Sequence, residues 1–237
     1  MLLLKTILVI VITPLLMISS NASILSTSGS SNVTVVLLGD SLINKPSQVF
    51  SLIPKMQALL VTTANVTIIN EGHNSNRIAD ILARTPDVLK NYTPDAVILF
   101  WDSDCSDVDE YKMKKEKVAE LRANYTANLV NVVTQILGSG SLLAISGPEV
   151  LGEGLREVKT PMLNDYRDMN KKISEDFKLP YIDMRQAFLD DCPDKWIQDG
   201  GFDTTDGEHP NDRGTTIEAG LFAKQIQEWL DGPLKQG

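Results

Sequence analysis

The sequence predicts an α/β protein, a three-layer α/β/α sandwich built on a parallel sheet of about five strands. Continuous apolar, β-branched runs recur along the chain, as in strands buried on both faces. Amphipathic helical stretches separate these runs, the mark of βαβ units. No internal repeat or low-complexity domain calls for another architecture.

The first run is residues 33–38, VTVVLL, which ends in Gly39-Asp40-Ser41-Leu42. Similar runs follow at residues 66–69 (VTII), 96–101 (AVILFW) and 141–146 (SLLAIS), with a weaker one at 180–183 (PYID). Between the first two, Val49, Leu52, Ile53, Met56 and Leu59 recur at helical spacing and predict a helix over 48–60. Residues 77–84, RIADILAR, predict a short amphipathic helix. A long helix is expected from Ser106, where Ser106 and Asp109 form a capping-box pattern. Val118, Leu121, Tyr125, Leu129, Val132 and Ile136 carry its apolar stripe, and Gly138 is a stop signal. Residues 161–177 predict a polar helix. The last helix starts near Asp212 and buries Ile217, Leu221, Phe222, Ile226 and Trp229.

The chain divides into three parts. Residues 1–22 read as a signal peptide, with one lysine, an apolar run over 7–17 and small residues at Ser20 and Ala22. The apolar run is short for a membrane span, though an uncleaved signal anchor is the alternative. Residues 23–32 form a flexible entry, and residues 33–232 form one domain. Secretion is therefore expected, with no stable membrane span in the mature chain. Asn32, Asn65, Asn91 and Asn124 each begin an N-x-S/T sequon and are candidate glycan acceptors. The two cysteines, Cys105 and Cys192, are either one disulfide or two buried thiols. A bridge closing so long a loop would stabilise the fold by about 4 kcal/mol. The net charge of −9 and pI near 4.7 repel phosphate backbones, which excludes nucleic acid as a partner. A monomer is the expected state.

Ligands of open α/β sheets bind beyond the carboxyl ends of the strands. At those ends the sequence places Ser41, then Asn70-Glu71-Gly72-His73-Asn74, then Asp102-Ser103-Asp104-Cys105. Late in the chain come Asp206, His209, Pro210 and Asn211. A serine hydroxyl is a poor nucleophile until a base takes its proton. Histidine is the usual base near neutral pH, and a carboxylate fixes its tautomer. The pattern assigns Ser41 as nucleophile, His209 as base and Asp206 as the group that orients it. Asp40, His73 and Asp102 are candidates for the substrate pocket; His73 reads equally as a surface loop residue. The acidic stretch over 102–110 lacks the glycine and terminal glutamate of an EF-hand loop. Neither a metal nor a cofactor is expected.

Taken together, VVLLGDSL and DGEHPNDRG resemble the first and last blocks of the SGNH, or GDSL-type, hydrolases. The resemblance spans roughly residues 33–230. It implies a flavodoxin-like SGNH fold and a metal-free Ser–His–Asp carboxylic ester hydrolase. The expected substrates are short-chain acyl or acetyl esters of carbohydrates or lipids. It also implies an oxyanion hole from the backbone N–H groups of Ser41 and Gly72. The third block departs from the family: where an asparagine donor is usual, this chain has Asp104 or, with a one-residue shift, Ser103. Asp104 is then either a protonated donor or turned away. Two alternatives keep the same fold, an O-acyltransferase and a secreted binding protein with impaired catalysis.

Overall fold

The structure, a computed structural model, describes residues 32–62, 64–106, 110–148, 160–191 and 204–234. The expected leader over 1–22, the entry segment up to residue 31 and Cys192 lie outside the described residues, as does the Cys105 side chain.

Five parallel strands form one sheet in the order β2-β1-β3-β4-β5. They are β1 (Asn32–Gly39), β2 (Asn65–Gly72), β3 (Ala96–Phe100), β4 (Leu142–Ser146) and β5 (Tyr181–Ile182). This is the α/β architecture that the sequence predicts. Alternate residues of the central strands feed two separate cores. On one face Val35, Leu37, Ile98 and Phe100 pack under α1 (Ser41–Val49), α2 (Leu52–Leu59) and α8 (Asp212–Asp231). On the other, Val36, Leu38, Val97 and Leu99 pack under α3 (Ile78–Tyr92), α5 (Lys115–Gly138) and α6 (Thr160–Phe177). The three layers follow from strands whose side chains are apolar on both sides.

Several boundaries differ from the expectation. The helix expected over 48–60 is two helices, α1 and α2, because Ser51 takes a left-handed conformation (φ 59°) between them. Helix α3 runs past the expected end to Tyr92 and contains Pro86. Its missing N–H and ring are tolerated in an otherwise amphipathic helix whose Ile78, Ile81, Thr85 and Val88 are buried. The long helix α5 starts at Lys115, not near Ser106; Ser106 instead closes the short helix α4 (Ser103–Ser106). Helix α7 (Met184–Asp191) follows β5 directly and was not expected. Its start is capped by Asp183 Oδ1, which accepts the Gln186 N–H at 3.2 Å.

All four sequon asparagines are exposed on the surface. Asn32 and Asn65 are register partners on β1 and β2, and the Asn65 amide donates to Asn32 Oδ1 at 3.0 Å. Among the described residues no helix is long and apolar enough to cross a membrane.

The sheet turns its connections around at β1, which sends its next helices toward β2 on one side while β3 pairs on the other. That switch point opens a crevice at the carboxyl ends of β1 and β3. Gly39 ends β1 there, and a Cβ on it would lie 1.8 Å from the Phe100 carbonyl oxygen. Only glycine lets the two strands finish side by side. Gly39→Ala is expected to destabilise the domain by about 3 kcal/mol or more, lowering Tm by roughly 6–12 °C. Thermal unfolding followed by circular dichroism checks this; an unchanged Tm would contradict the close-approach account.

Candidate active site

Ser41 is the first residue of α1, so its backbone N–H has no carbonyl one turn before it. Asp40 is the N-cap, and its Oδ1 accepts the Leu42 N–H at 3.0 Å. Its other oxygen accepts the Asp102 N–H, the Ser103 N–H and the Ser103 hydroxyl at 3.0, 3.0 and 2.7 Å. One carboxylate thus ties the turn after β1 to the turn after β3. Burial pushes the Asp40 carboxyl above its ordinary value, and these hydrogen bonds oppose the rise.

Residues 204–211 form a closed loop. Thr204 and Pro210 make an antiparallel bridge, and the Thr205 N–H donates to the His209 carbonyl at 2.8 Å. Gly207 turns the chain at φ 80°, a region that side chains other than glycine rarely adopt. Asn211 caps α8 by accepting the Arg213 and Gly214 N–H groups at 2.8 and 3.1 Å. Within this loop Asp206 Oδ1 accepts the His209 and Glu208 N–H groups at 2.9 and 3.1 Å. Its Oδ2 lies 2.8 Å from His209 Nδ1. His209 Nε2 lies 3.0 Å from Ser41 Oγ, across 168 residues of sequence. Burial tends to raise the Asp206 carboxyl, but the N–H groups and imidazole of His209 outweigh it and hold it below its ordinary value. Ser41, His209 and Asp206 therefore stand in hydrogen-bonded sequence.

The remaining expected site residues are placed differently. Asp40 and Asp102 are fully buried, at 0% and 1% exposure, so neither lines an open pocket. His73 is half exposed, with Nε2 3.3 Å from Glu71 Oε2. Asp104 is held by two donors through one of its oxygens. Its Oδ2 accepts the Ile78 N–H at 2.6 Å and the Trp101 indole N–H at 3.0 Å, at the start of α3. Ser103, the alternative donor, spends its hydroxyl on Asp40. The Gly72 N–H is covered by Asn70 Oδ1 at 2.8 Å. A Cβ on Gly72 would lie 2.6 Å from the Asn44 nitrogen and 2.7 Å from the Asp40 oxygen, so its backbone lies against the first turn of α1.

Two residues that no motif marks also shape the site. Arg84, on α3, donates from Nη2 to the carbonyls of Gly39 (2.7 Å) and Glu71 (2.8 Å), holding the ends of β1 and β2 together. Its Nη1 lies 3.2 Å from Glu71 Oε2. Lys45, one turn after Ser41 on α1, places its ammonium 3.0 Å from His209 Nδ1. An i, i+4 spacing from the serine was the available signal for Lys45. An arginine on an amphipathic helix carries no such signal, because it reads as part of the solvent face.

No protein-family model matches the chain. In sequence it is similar to an uncharacterized protein of Ictalurid herpesvirus 1 (strain Auburn), with 27% identity over 181 residues. That match covers 73% of this chain and 28% of the viral protein, so the chain spans little more than a quarter of that relative. In structure it is similar to the acetyl xylan esterase AlAXEase, with TM-score 0.67 and 22% identity, over 82% of this chain and all of that one. The chain has the fold of the GDSL-type hydrolases. An acetylxylan esterase from Geobacillus stearothermophilus shares it at TM-score 0.65 and 20% identity, over 83% of this chain and 95% of the enzyme. So does a GDSL-like lipase from Bacteroides thetaiotaomicron, at TM-score 0.60 and 15% identity, over 82% of this chain and 88% of the other.

Asp104 generates a pH prediction. Burial raises its carboxyl to about 6, against the two N–H groups that favour the charged form. The folded-state value lies above the unfolded one. Its stabilising contribution is therefore full below about pH 4 and is lost as pH rises through about 6. Relative to Asp104→Asn, which keeps an acceptor for both N–H groups, the wild type should lose about 2 kcal/mol between pH 4 and 7. Urea unfolding of both proteins across that range checks the slope; parallel curves would contradict it.

Proposed function

We propose that the protein is a serine ester hydrolase that works through an acyl-Ser41 intermediate. The observation that carries this reading is the 3.0 Å contact between Ser41 Oγ and His209 Nε2, continued by the 2.8 Å contact from His209 Nδ1 to Asp206. Ser41 Oγ attacks the ester carbonyl carbon while its proton passes to Nε2. Asp206 holds the proton on Nδ1 and stabilises the imidazolium. The tetrahedral oxyanion collapses, the carbon–oxygen bond to the alcohol breaks, and the alcohol leaves with the proton from Nε2. Water then gives a proton to Nε2 and attacks the acyl-serine. Collapse of the second tetrahedral intermediate releases the acid and returns the proton to Ser41.

The oxyanion is read as held by the Ser41 N–H at the positive end of α1, with the Gly72 N–H joining once the Asn70 side chain moves off it. The missing third-block amide leaves this hole with fewer donors than the family pattern. A modest turnover number is the expected consequence, since one such donor is worth roughly 3–4 kcal/mol. Acetyl or other short-chain esters of carbohydrates are the proposed substrates, supported by the acetylxylan esterases that share the fold. Entry into the secretory pathway, through residues 1–22, and glycosylation at the exposed sequons belong to the same reading.

A fluorophosphonate probe should label the wild-type protein and fail to label Ser41→Ala, whose turnover of an acetyl ester should fall at least about a thousandfold. Asp206→Asn should keep the fold and lose roughly a hundredfold to ten-thousandfold in kcat, because the ring tautomer is no longer held. Absence of labelling in folded wild type would reject hydrolysis in favour of a binding protein.

A further inference from the structure

We infer that Asn44, Gln48 and Asn74 form a subsite beside Ser41 that binds the hydroxyl groups of a neutral sugar and so directs the site to carbohydrate esters. The inference rests on the acyl-Ser41 reading and adds the residues that the sugar portion of the ester meets. Side-chain carboxamides stand there in one connected row. Asn44 Nδ2 donates to Asn74 Oδ1 at 3.0 Å, and Gln48 Nε2 donates to Asn44 Oδ1 at 2.9 Å. Asn70 Nδ2 donates to the same Asn44 oxygen at 3.4 Å. The row links the turn after β2 to α1 and continues along that helix to Gln48. Asn44 and Asn70 are half-buried, and Gln48 and Asn74 are exposed.

The helix sets this row against the nucleophile. Ser41, Asn44 and Gln48 follow one another on α1 at i, i+3 and i, i+4 spacing, so they share one face, with neighbouring Cβ atoms about 5–6 Å apart. Each Cα–Cβ bond also tilts toward the helix N-terminus, which leans Asn44 toward the turn that carries Ser41. A ring hydroxyl of an ester whose carbonyl carbon meets Ser41 Oγ therefore comes within reach of Asn44. Asn74 arrives at the same place from a tight turn, closed by the Asn76 N–H on the His73 carbonyl at 3.1 Å.

The chemistry of the row fits a sugar. A carboxamide presents two N–H donors and a carbonyl acceptor side by side, and a hydroxyl both donates and accepts. Adjacent hydroxyls on one ring can therefore meet both groups of one amide. The NH2 groups of Asn44 and Gln48 each give one hydrogen within the row and keep a second. The mutual bonds hold the amides in place before a ligand arrives, which lowers the ordering cost of binding. Asparagine is a weak former of both helix and strand, so the stability of α1 and β2 does not account for amides at 44 and 70. The row itself carries no charge, so it offers an ionic ligand no counter-ion. A long alkyl chain laid across it would strip water from the amides and return no hydrogen bond. The row thus favours a polyhydroxyl alcohol over a lipid.

Kinetics on two acetate esters, an acetylated methyl glucoside and phenyl acetate, separate the subsite from the relay. Gln48→Ala and Asn74→Ala change exposed side chains, so both proteins should fold. Each should raise KM for the glucoside by about threefold to tenfold, the loss of a neutral hydrogen bond, and the effect should fall on KM more than on kcat. Phenyl acetate has no hydroxyl to lose, so the glucoside should suffer the larger loss in kcat/KM. NMR of the side-chain NH2 groups gives a readout without turnover. In Ser41→Ala, methyl glucoside should shift the signals of Asn44, Gln48 and Asn74, and butanol should not. Equal losses on both esters, or no amide shift with methyl glucoside, would overturn the inference. Fluorophosphonate labelling of Ser41 in a protein without that shift keeps the hydrolase reading and loses the subsite. A folded protein that escapes the label and hydrolyses neither ester, yet shows the shifts, keeps the sugar site and loses the hydrolase reading.

Discussion

The Asp40 carboxylate is the constraint on which the site depends. It is fully buried and takes four hydrogen bonds, one from the first turn of α1 and three from the turn after β3. A buried carboxylate that lost these donors would be strongly destabilising, so the two turns are locked in one relative position. Ser41 is the next residue, and its direction is inherited from that lock. Gly39 allows the lock to form, because the strands carrying the two turns approach more closely than any Cβ permits. Arg84 extends the same clamp to β2 by taking the carbonyls of Gly39 and Glu71, which places Gly72 against the first turn of α1.

The histidine arrives from the other end of the chain by a separate device. Its loop is short and closed on itself by the Thr204–Pro210 bridge, the left-handed Gly207 and the Asn211 cap of α8. Asp206 takes both the backbone and the ring of His209, so ring orientation is set within four residues of chain. The long-range demand is only that α8 pack on the sheet face shared with α1, which buried Phe222, Ile226 and Trp229 enforce. A local clamp and a rigid helix together hold two side chains 168 residues apart at hydrogen-bond distance.

The acidic third block has a structural explanation. Asp104 serves the start of α3, where free N–H groups favour a carboxylate, and the Trp101 indole adds a second donor. The turn after β3 is thus spent on joining α3 and β1.

Much of this was legible in the linear chain. Buried parallel strands read as unbroken β-branched runs, and a serine at the end of the first, with D-x-x-H before the last helix, carries its chemistry in residue type and spacing. Helix ends were less legible: the break at Ser51, the continuation through Pro86 and the start of α5 at Lys115 depend on what the helices pack against. The sequence by itself determined the fold class and the identity of the serine, histidine and aspartate, because hydrophobic periodicity and side-chain chemistry are local properties. Only the tertiary structure decided that Asp40 is a clamp, that Asp104 joins the start of α3 and that Lys45 meets His209. Those outcomes depend on which donors lie within 3 Å in space, and chain separation does not encode that distance.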